Sequence, residues 1–203
     1  MVLQISARDV KKLRDKTGIG MMECKKALQV SNGDLDKAIE NLRKKGMVIA
    51  SQKSQRITTQ GLIESYVHLG SKVGVMIELN CETDFVARRL EFQTLAKNIA
   101  MQIAANPSLQ YIDKTGIPKD LIEYEYKIEF EQEDLSNKSG AMKQQVVEER
   151  VDKKLSELCL FPQPFIKNPE ITVKDLVEQH ILLLKENIKV RRFTRYILGD
   201  FIS

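Results

Sequence analysis

The chain has 203 residues, 42% hydrophobic and 30% charged, with 32 basic and 28 acidic side chains giving a net charge of +4. Those proportions exclude global disorder, and the near balance of charge argues against a dedicated nucleic-acid binder. Cys24, Cys81 and Cys159 are dispersed and form no CxxC pair, and there are only 2 histidines, so a disulfide framework, a zinc site and a histidine-based nucleophile are all unexpected.

From residue 5 to 47 the pattern predicts three short helices. Ser6 with Asp9 resembles a capping box. Val10 and Leu13 follow at helical spacing, Gly18-Ile19-Gly20 breaks the chain, and Met22, Ala27 and Leu28 mark a second helix. Gly33-Asp34 opens a third, where Leu35, Ala38, Ile39 and Leu42 recur at i, i+3, i+4 and i+7, and Gly46 is read as its stop. A bundle this small has a thin core and is expected to dock on something.

Residues 51–60 are polar and read as a linker passing into a strand. A β-hairpin follows, with Leu62, Glu64, Tyr66 and His68 on one face, Ile63 and Val67 on the other, and Gly70-Ser71 at the turn. Val73, Val75, Ile77 and Leu79 form one apolar face of the return strand. Asp84 to about Ala104 reads as one helix, carrying Phe85, Leu95, Ile99 and Ile103 and stopped by Asn106-Pro107. Residues 118–134 admit two readings. Ile122, Tyr124, Tyr126, Ile128 and Phe130 alternate as in a strand, whereas Leu121, Tyr124, Ile128 and Leu135 fit a helix begun at Pro118. Residues 141–158 read as helix, 161–169 as a proline-bearing loop, Thr172 with Asp175 as the start of a helix to about Glu186, and Ile188–Leu198 as a strand.

The fold class is therefore α+β: a three-helix N-terminal module, then a core in which helices pack a small antiparallel sheet. The expected boundaries are 1–50 for the module, 51–60 for the linker and strand entry, 61–187 for the α+β core, and 188–203 for a C-terminal strand and tail. No run of 18 apolar residues occurs, so no membrane span is expected. The opening residues carry neither an apolar signal region nor an Arg/Ser-rich transit peptide, which reads as a protein working where it is made.

Catalytic constellations are missing. There is no GxxxxGK[ST] loop, and Gly18-Ile19-Gly20 lacks a preceding strand and a third glycine, so it reads as a tight interhelical turn. His68 and His180 read as surface or boundary histidines, and Glu148-Glu149 as a solvated helix face. Two segments invite another reading. Met21-Met22 opens the second helix, and methionine suits adaptable contact surfaces; core and contact balance here, with one methionine expected each way. Asn80-Cys81-Glu82-Thr83-Asp84-Phe85-Val86-Ala87-Arg88 lies where a strand gives way to a helix, with Thr83 or Asp84 a natural N-cap. Pattern favours Phe85 tucked beneath the sheet over Phe85 projecting as a probe.

Lys16-Thr17-Gly18-Ile19-Gly20-Met21-Met22-Glu23-Cys24-Lys25-Lys26-Ala27-Leu28 resembles the first signature of the elongation factor Ts family, and Glu78-Leu79-Asn80-Cys81-Glu82-Thr83-Asp84-Phe85-Val86-Ala87-Arg88 its second. Gln163-Pro164-Phe165 and Glu186-Asn187-Ile188 to Arg191-Arg192-Phe193 resemble its C-terminal part. The resemblance implies a guanine-nucleotide exchange factor in translation, without covalent chemistry and without a cofactor or metal of its own. It implies that the N-terminal module resembles a ubiquitin-associated domain and docks on elongation factor Tu. It assigns partner contact to Met21, Met22, Lys25, Thr83, Asp84, Phe85 and Val86, and displacement of the partner's Mg²⁺ to Thr83–Val86, with Phe85 as the wedge and Asp84 in polar contact beside it. It also tips residues 118–134 toward helix, although Tyr124 and Tyr126 stand where charged residues are more usual.

The chain looks like the shortened family type of some bacteria and plastids, lacking most of a second sheet-containing repeat. That places it in plastid stroma or bacterial cytoplasm, with no direct nucleic-acid or membrane partner, and leaves room for a homodimer through the C-terminal portion. Three rivals stand beside this reading: an adaptor without exchange activity, an RNA binder using Lys185, Lys189, Arg191, Arg192 and Arg195, and a hydrolase.

Overall fold

The computed structural model describes residues 5–132, 134 and 140–200. In chain order its elements are α1 (Ala7–Thr17), α2 (Met21–Val30), α3 (Leu35–Lys53), β1 (Gln60–Val67), β2 (Val73–Cys81), α4 (Asp84–Ala87), α5 (Leu90–Ala105), α6 (Lys119–Phe130), α7 (Gly140–Glu157), β3 (Pro164–Phe165), β4 (Asn168–Thr172), α8 (Val173–Leu184) and β5 (Lys189–Ile197). This is the α+β class. One compact unit takes the residues up to Met101 and those from Lys174 onward, and the other is Gln102–Val173. The units cut the chain at other places than the sequence boundaries at 50, 60 and 187.

In the first unit, α1 begins where Ser6 Oγ accepts the N–H of Asp9 at 3.1 Å and ends at Gly18, whose left-handed backbone (φ 70°) returns its N–H to Arg14. Asp34 caps α3 through Oδ1, which accepts from Asp36 and Lys37 at 3.0 and 3.1 Å. Such caps contribute about 1 kcal/mol each. Val10, Leu13, Ile19, Cys24, Ala27, Leu28, Ala38 and Leu42 form the module's core, joined by Leu182 of α8. The thin core read from sequence is thus completed by a helix far along the chain.

Gly46 does not end α3, which continues to Lys53 and absorbs the start of the predicted linker. A single glycine costs a helix only about 1 kcal/mol, and packing outweighs it here. A Cβ on Gly46 would lie 3.5 Å from the Glu178 carbonyl oxygen, so the position faces the main chain of α8.

The sheet has strand order β1-β2-β5, antiparallel throughout. Val75, Ile77, Leu79 and Cys81 are buried on its inner face, while Ile63, Val67, Met76 and Tyr196 are exposed on the outer one. Gly61 has φ 152°, and a Cβ there would sit 2.2 Å from the Leu79 carbonyl oxygen, so β1 runs against β2 where only glycine fits. β5 carries a bulge. Val190 pairs with Leu79 and Arg192 with Glu78, leaving Arg191 as the extra residue. The insertion places both Val190 and Phe193 opposite inner-face residues, although three residues of regular strand would put them on opposite faces.

The predicted helix from Asp84 to Ala104 is two helices, α4 and α5, separated at Arg88-Arg89. Arg88 closes α4 with its N–H on Asp84, and the Arg89 carbonyl accepts the N–H groups of Phe92 and Gln93, both at 3.1 Å, in the first turn of α5. Phe85 and Phe92 are seven residues apart and would share a face on one continuous helix. The break lets Phe92 be fully buried while Phe85 is 78% exposed.

In the second unit, residues 119–130 form helix α6, preceded by Pro118. Tyr124 and Phe130 lie on its exposed side, while Leu121 and Ile122 pack against the Ile117, Val147, Val151, Leu155 and Cys159 core; Leu135 lies outside the described residues. Glu129 is buried where Lys154 meets it at 2.6 Å and Arg150 at 3.7 Å. The predicted loop 161–169 includes β3 and leads into β4, a short antiparallel pair. Its support is polar: the buried Gln102 donates to the Pro164 carbonyl at 3.1 Å and accepts from the Ile166 N–H at 2.8 Å. Gln163 closes α7 by donating to the carbonyls of Ser156 and Cys159, each at 3.0 Å. A pair of two-residue contacts leaves little periodicity to read, which is why it passed for a loop.

Candidate partner-binding surface

Gly20 starts α2 without a side-chain cap, so the first residues of the helix are open to contact. Cys24, Ala27 and Leu28 take the buried face. Met21 is 41% and Met22 66% exposed, so both methionines face outward and neither enters the core, correcting the expectation of one each way. Lys25 is exposed one turn on, within reach of both by helical spacing. The result is a flexible apolar pair beside a cation. Glu23 is turned aside from it: a hydrogen bond from Lys45 holds its carboxyl below the usual range and ties α2 to α3.

The second region is the turn leaving β2. Thr83 is the N-cap of α4, its hydroxyl accepting from the Val86 N–H at 3.4 Å. Asp84 is half-buried and pairs with Arg88 at 2.9 Å. Phe85 projects into solvent and is not tucked beneath the sheet as pattern favoured. Val86 is 7% exposed, and its side chain anchors the turn from within. A phenyl ring held in water forgoes about 2 kcal/mol relative to burial.

Sequence reasoning missed what holds this turn. Glu186 accepts from the Glu82 and Thr83 N–H groups, both at 3.0 Å, and from the Thr83 hydroxyl at 2.6 Å. Glu82 accepts the Asn187 N–H at 2.6 Å in return. Nothing local in the sequence links positions a hundred residues apart; the only signal was that both segments belong to quoted family motifs.

His180 is half-buried, the boundary histidine of the two options read from sequence. Its Nδ1–H donates to the Leu176 carbonyl at 2.7 Å, and burial lowers its pKa. Of the basic residues on β5, Arg192 is paired with Glu78 at 2.7 Å.

The exposed methionine pair at the start of α2 and the braced single turn presenting the Phe85 ring make up the candidate surface. Residues 6–200 match the family model described as "Elongation factor TS". Similar proteins include "Elongation factor Ts, chloroplastic" of Rhodomonas salina, 57% identical over 200 residues, covering 98% of this chain and 91% of the relative. The protein of the same description from Pyropia yezoensis is 54% identical over 199 residues, covering 98% and 90%. "Elongation factor Ts" of Rippkaea orientalis (strain PCC 8801 / RF-1) is 52% identical over 200 residues, covering 98% and 80%. The chain belongs to the elongation factor Ts family.

Proposed function

We propose that the chain promotes guanine-nucleotide exchange on elongation factor Tu, in plastid stroma or bacterial cytoplasm. The observation that carries this reading is Phe85, 78% exposed on a capped and braced turn. Met21, Met22 and Lys25 dock the module on the partner. Phe85 wedges beside the partner's nucleotide site, Asp84 makes polar contact next to it, Thr83 caps the turn and Val86 anchors it. The wedge displaces the partner's Mg²⁺, which bridges phosphate charge to protein ligands, and so removes a large local attraction for GDP.

The energetics are linkage. A protein that prefers the nucleotide-free partner weakens GDP binding by the same factor that GDP weakens its own binding. No acid, base or nucleophile is needed, and no bond is made or broken. The returning nucleotide is chosen by its abundance.

The test is stopped-flow release of a fluorescent GDP from a cognate elongation factor Tu. Release should accelerate and saturate with added chain. Phe85→Ala should lower the maximal rate more than it raises the half-saturating concentration, because docking is spread widely and the wedge is not. Equal losses in both would remove the wedge role. No acceleration, with binding retained, would leave an adaptor.

Assembly as a homodimer belongs to the same reading. The C-terminal portion is the contact read from sequence; on its strand β5, Tyr196 is exposed on the same outer sheet face as Ile63, Val67 and Met76. Light scattering on the wild-type chain and on Met76→Lys would decide it: a monomeric wild type removes the proposal.

A further inference from the structure

Glu186 lies just past the end of α8, where Lys185 turns the chain with φ 60°. That left-handed conformation is unfavourable for a residue with a Cβ. Lys185 is held in it by its N–H on the Ile181 carbonyl at 2.9 Å and by Lys53 Nζ on its own carbonyl at 2.8 Å. The turn directs Glu186 to the segment after β2. There Oε2 receives both backbone N–H groups, and Oε1 receives the Thr83 hydroxyl. While donating its O–H to Glu186, that hydroxyl keeps a lone pair for the Val86 N–H, the bond that opens α4.

The brace is reciprocal. Glu82 Oε1 takes the Asn187 N–H, and Asn187 Nδ2 donates to the Arg56 carbonyl at 2.9 Å. From below, the Cys81 thiol donates to the Thr83 carbonyl at 3.1 Å. Burial, and next the charge of Glu186, push that thiol up to about 11, so it keeps its proton at neutral pH.

A helix of four residues does not sustain itself, because nucleation fixes several dihedrals for one hydrogen bond. The Phe85 ring, mostly in solvent, adds little packing of its own. The direction of Phe85 is therefore fixed by the bonds beneath it, with Glu186 making three of them. Resting on the exchange reading above, we propose that Glu186 is a positioning residue for exchange, its carboxylate holding the Thr83–Val86 turn so that Phe85 meets the partner already aimed. A wedge aimed in advance does not spend contact energy on ordering itself.

The experiment uses the full chain and fluorescent GDP on cognate elongation factor Tu, reading the maximal release rate and the half-saturating concentration. Glu186→Ala is expected to lower the maximal rate about tenfold, with half-saturation moved less than about twofold. Glu186→Gln keeps the reach and an acceptor oxygen and should restore most of the rate. Glu186→Asp keeps the charge but withdraws the carboxylate by one methylene and should not. Amide exchange at Glu82 and Thr83 should quicken in the Ala and Asp variants and stay slow in the Gln variant.

Wild-type rates in Glu186→Ala, equal losses in rate and half-saturation, or rescue by Asp instead of Gln would each overturn the positioning role. If the Ala variant does not fold, the Gln and Asp pair decides the matter alone. A wild-type chain that fails to accelerate release overturns the exchange reading itself, a result separate from any difference among the variants.

Discussion

Arg43 grips Asp175 with a fork: Nε donates to Oδ1 at 3.0 Å and Nη2 to Oδ2 at 2.7 Å. The Asp175 side chain is 6% exposed and that of Arg43 43%, so the pair joins the N-terminal module to α8 at the edge of solvent. Removing Arg43 takes the guanidinium from a buried carboxylate. Screening on the arginine side sets the cost between that of an exposed and a buried pair, about 2 kcal/mol. Arg43→Ala should lower the unfolding free energy by that amount, read as a lower denaturation midpoint at unchanged slope. Arg43→Lys should recover only part, because an ammonium cannot reproduce the fork. An unchanged midpoint in Arg43→Ala would mean that the fork adds nothing.

Met21 and Met22 stand outside the core, so their truncation should be nearly silent in folding. Met22→Ala is expected to change stability by less than about 0.5 kcal/mol. If the pair is a contact surface, Met21→Ala with Met22→Ala should weaken binding to elongation factor Tu about tenfold, as read by calorimetric titration. A large fall in Tm with unchanged affinity would place these side chains in packing instead.

Gly61 tests the sheet. With φ 152° and the Leu79 carbonyl oxygen 2.2 Å from a built Cβ, Gly61→Ala must push β1 off β2. We expect a loss of about 3 kcal/mol. A melting curve that superimposes on wild type would refute the close approach.

His180 sets a pH dependence. Burial depresses its folded-state pKa below the ordinary 6.5. Between the depressed and ordinary values the unfolded chain therefore holds more protons. Its contribution is present above the unfolded value and is lost as pH falls toward the folded one. Stability should thus decline as pH falls below the ordinary histidine value of 6.5, and His180→Gln should flatten that slope. Glu178, whose carboxyl burial raises, acts with the opposite sign further down the scale, so the difference between wild type and variant isolates the histidine. Parallel slopes in the two proteins would show that His180 is not the titrating group.

Long periodic segments were legible in the sequence: α1, α2, α7, α8 and the β1–β2 hairpin all lie within a few residues of their expected places. What failed to show has a common physical origin. Gly46 signalled a stop by local propensity, but tertiary packing against α8 carried α3 through it. The break at Arg88-Arg89 is invisible to periodicity because both sides are helical, yet it decides whether Phe85 points in or out. The residues of the candidate surface could be named from motifs, whereas the bonds from Glu186 that support it join two distant segments. Such polar braces leave no period in a sequence.

Asp175, Glu178 and Leu182 of α8 each meet the N-terminal helices: the first through Arg43, the second by its main chain beside Gly46, the third within the module's core. Their spacings of three and four residues draw one line along the helix surface. One residue added or deleted between them would rotate the remainder by about 100°, so either the latch at Asp175 or the plug at Leu182 would swing away from its socket. α8 thus carries a phase as well as a length. Insertions that the hairpin tip around Gly70, with open space beside it, would absorb without consequence are forbidden here, and drift in chain length must be settled elsewhere in the molecule.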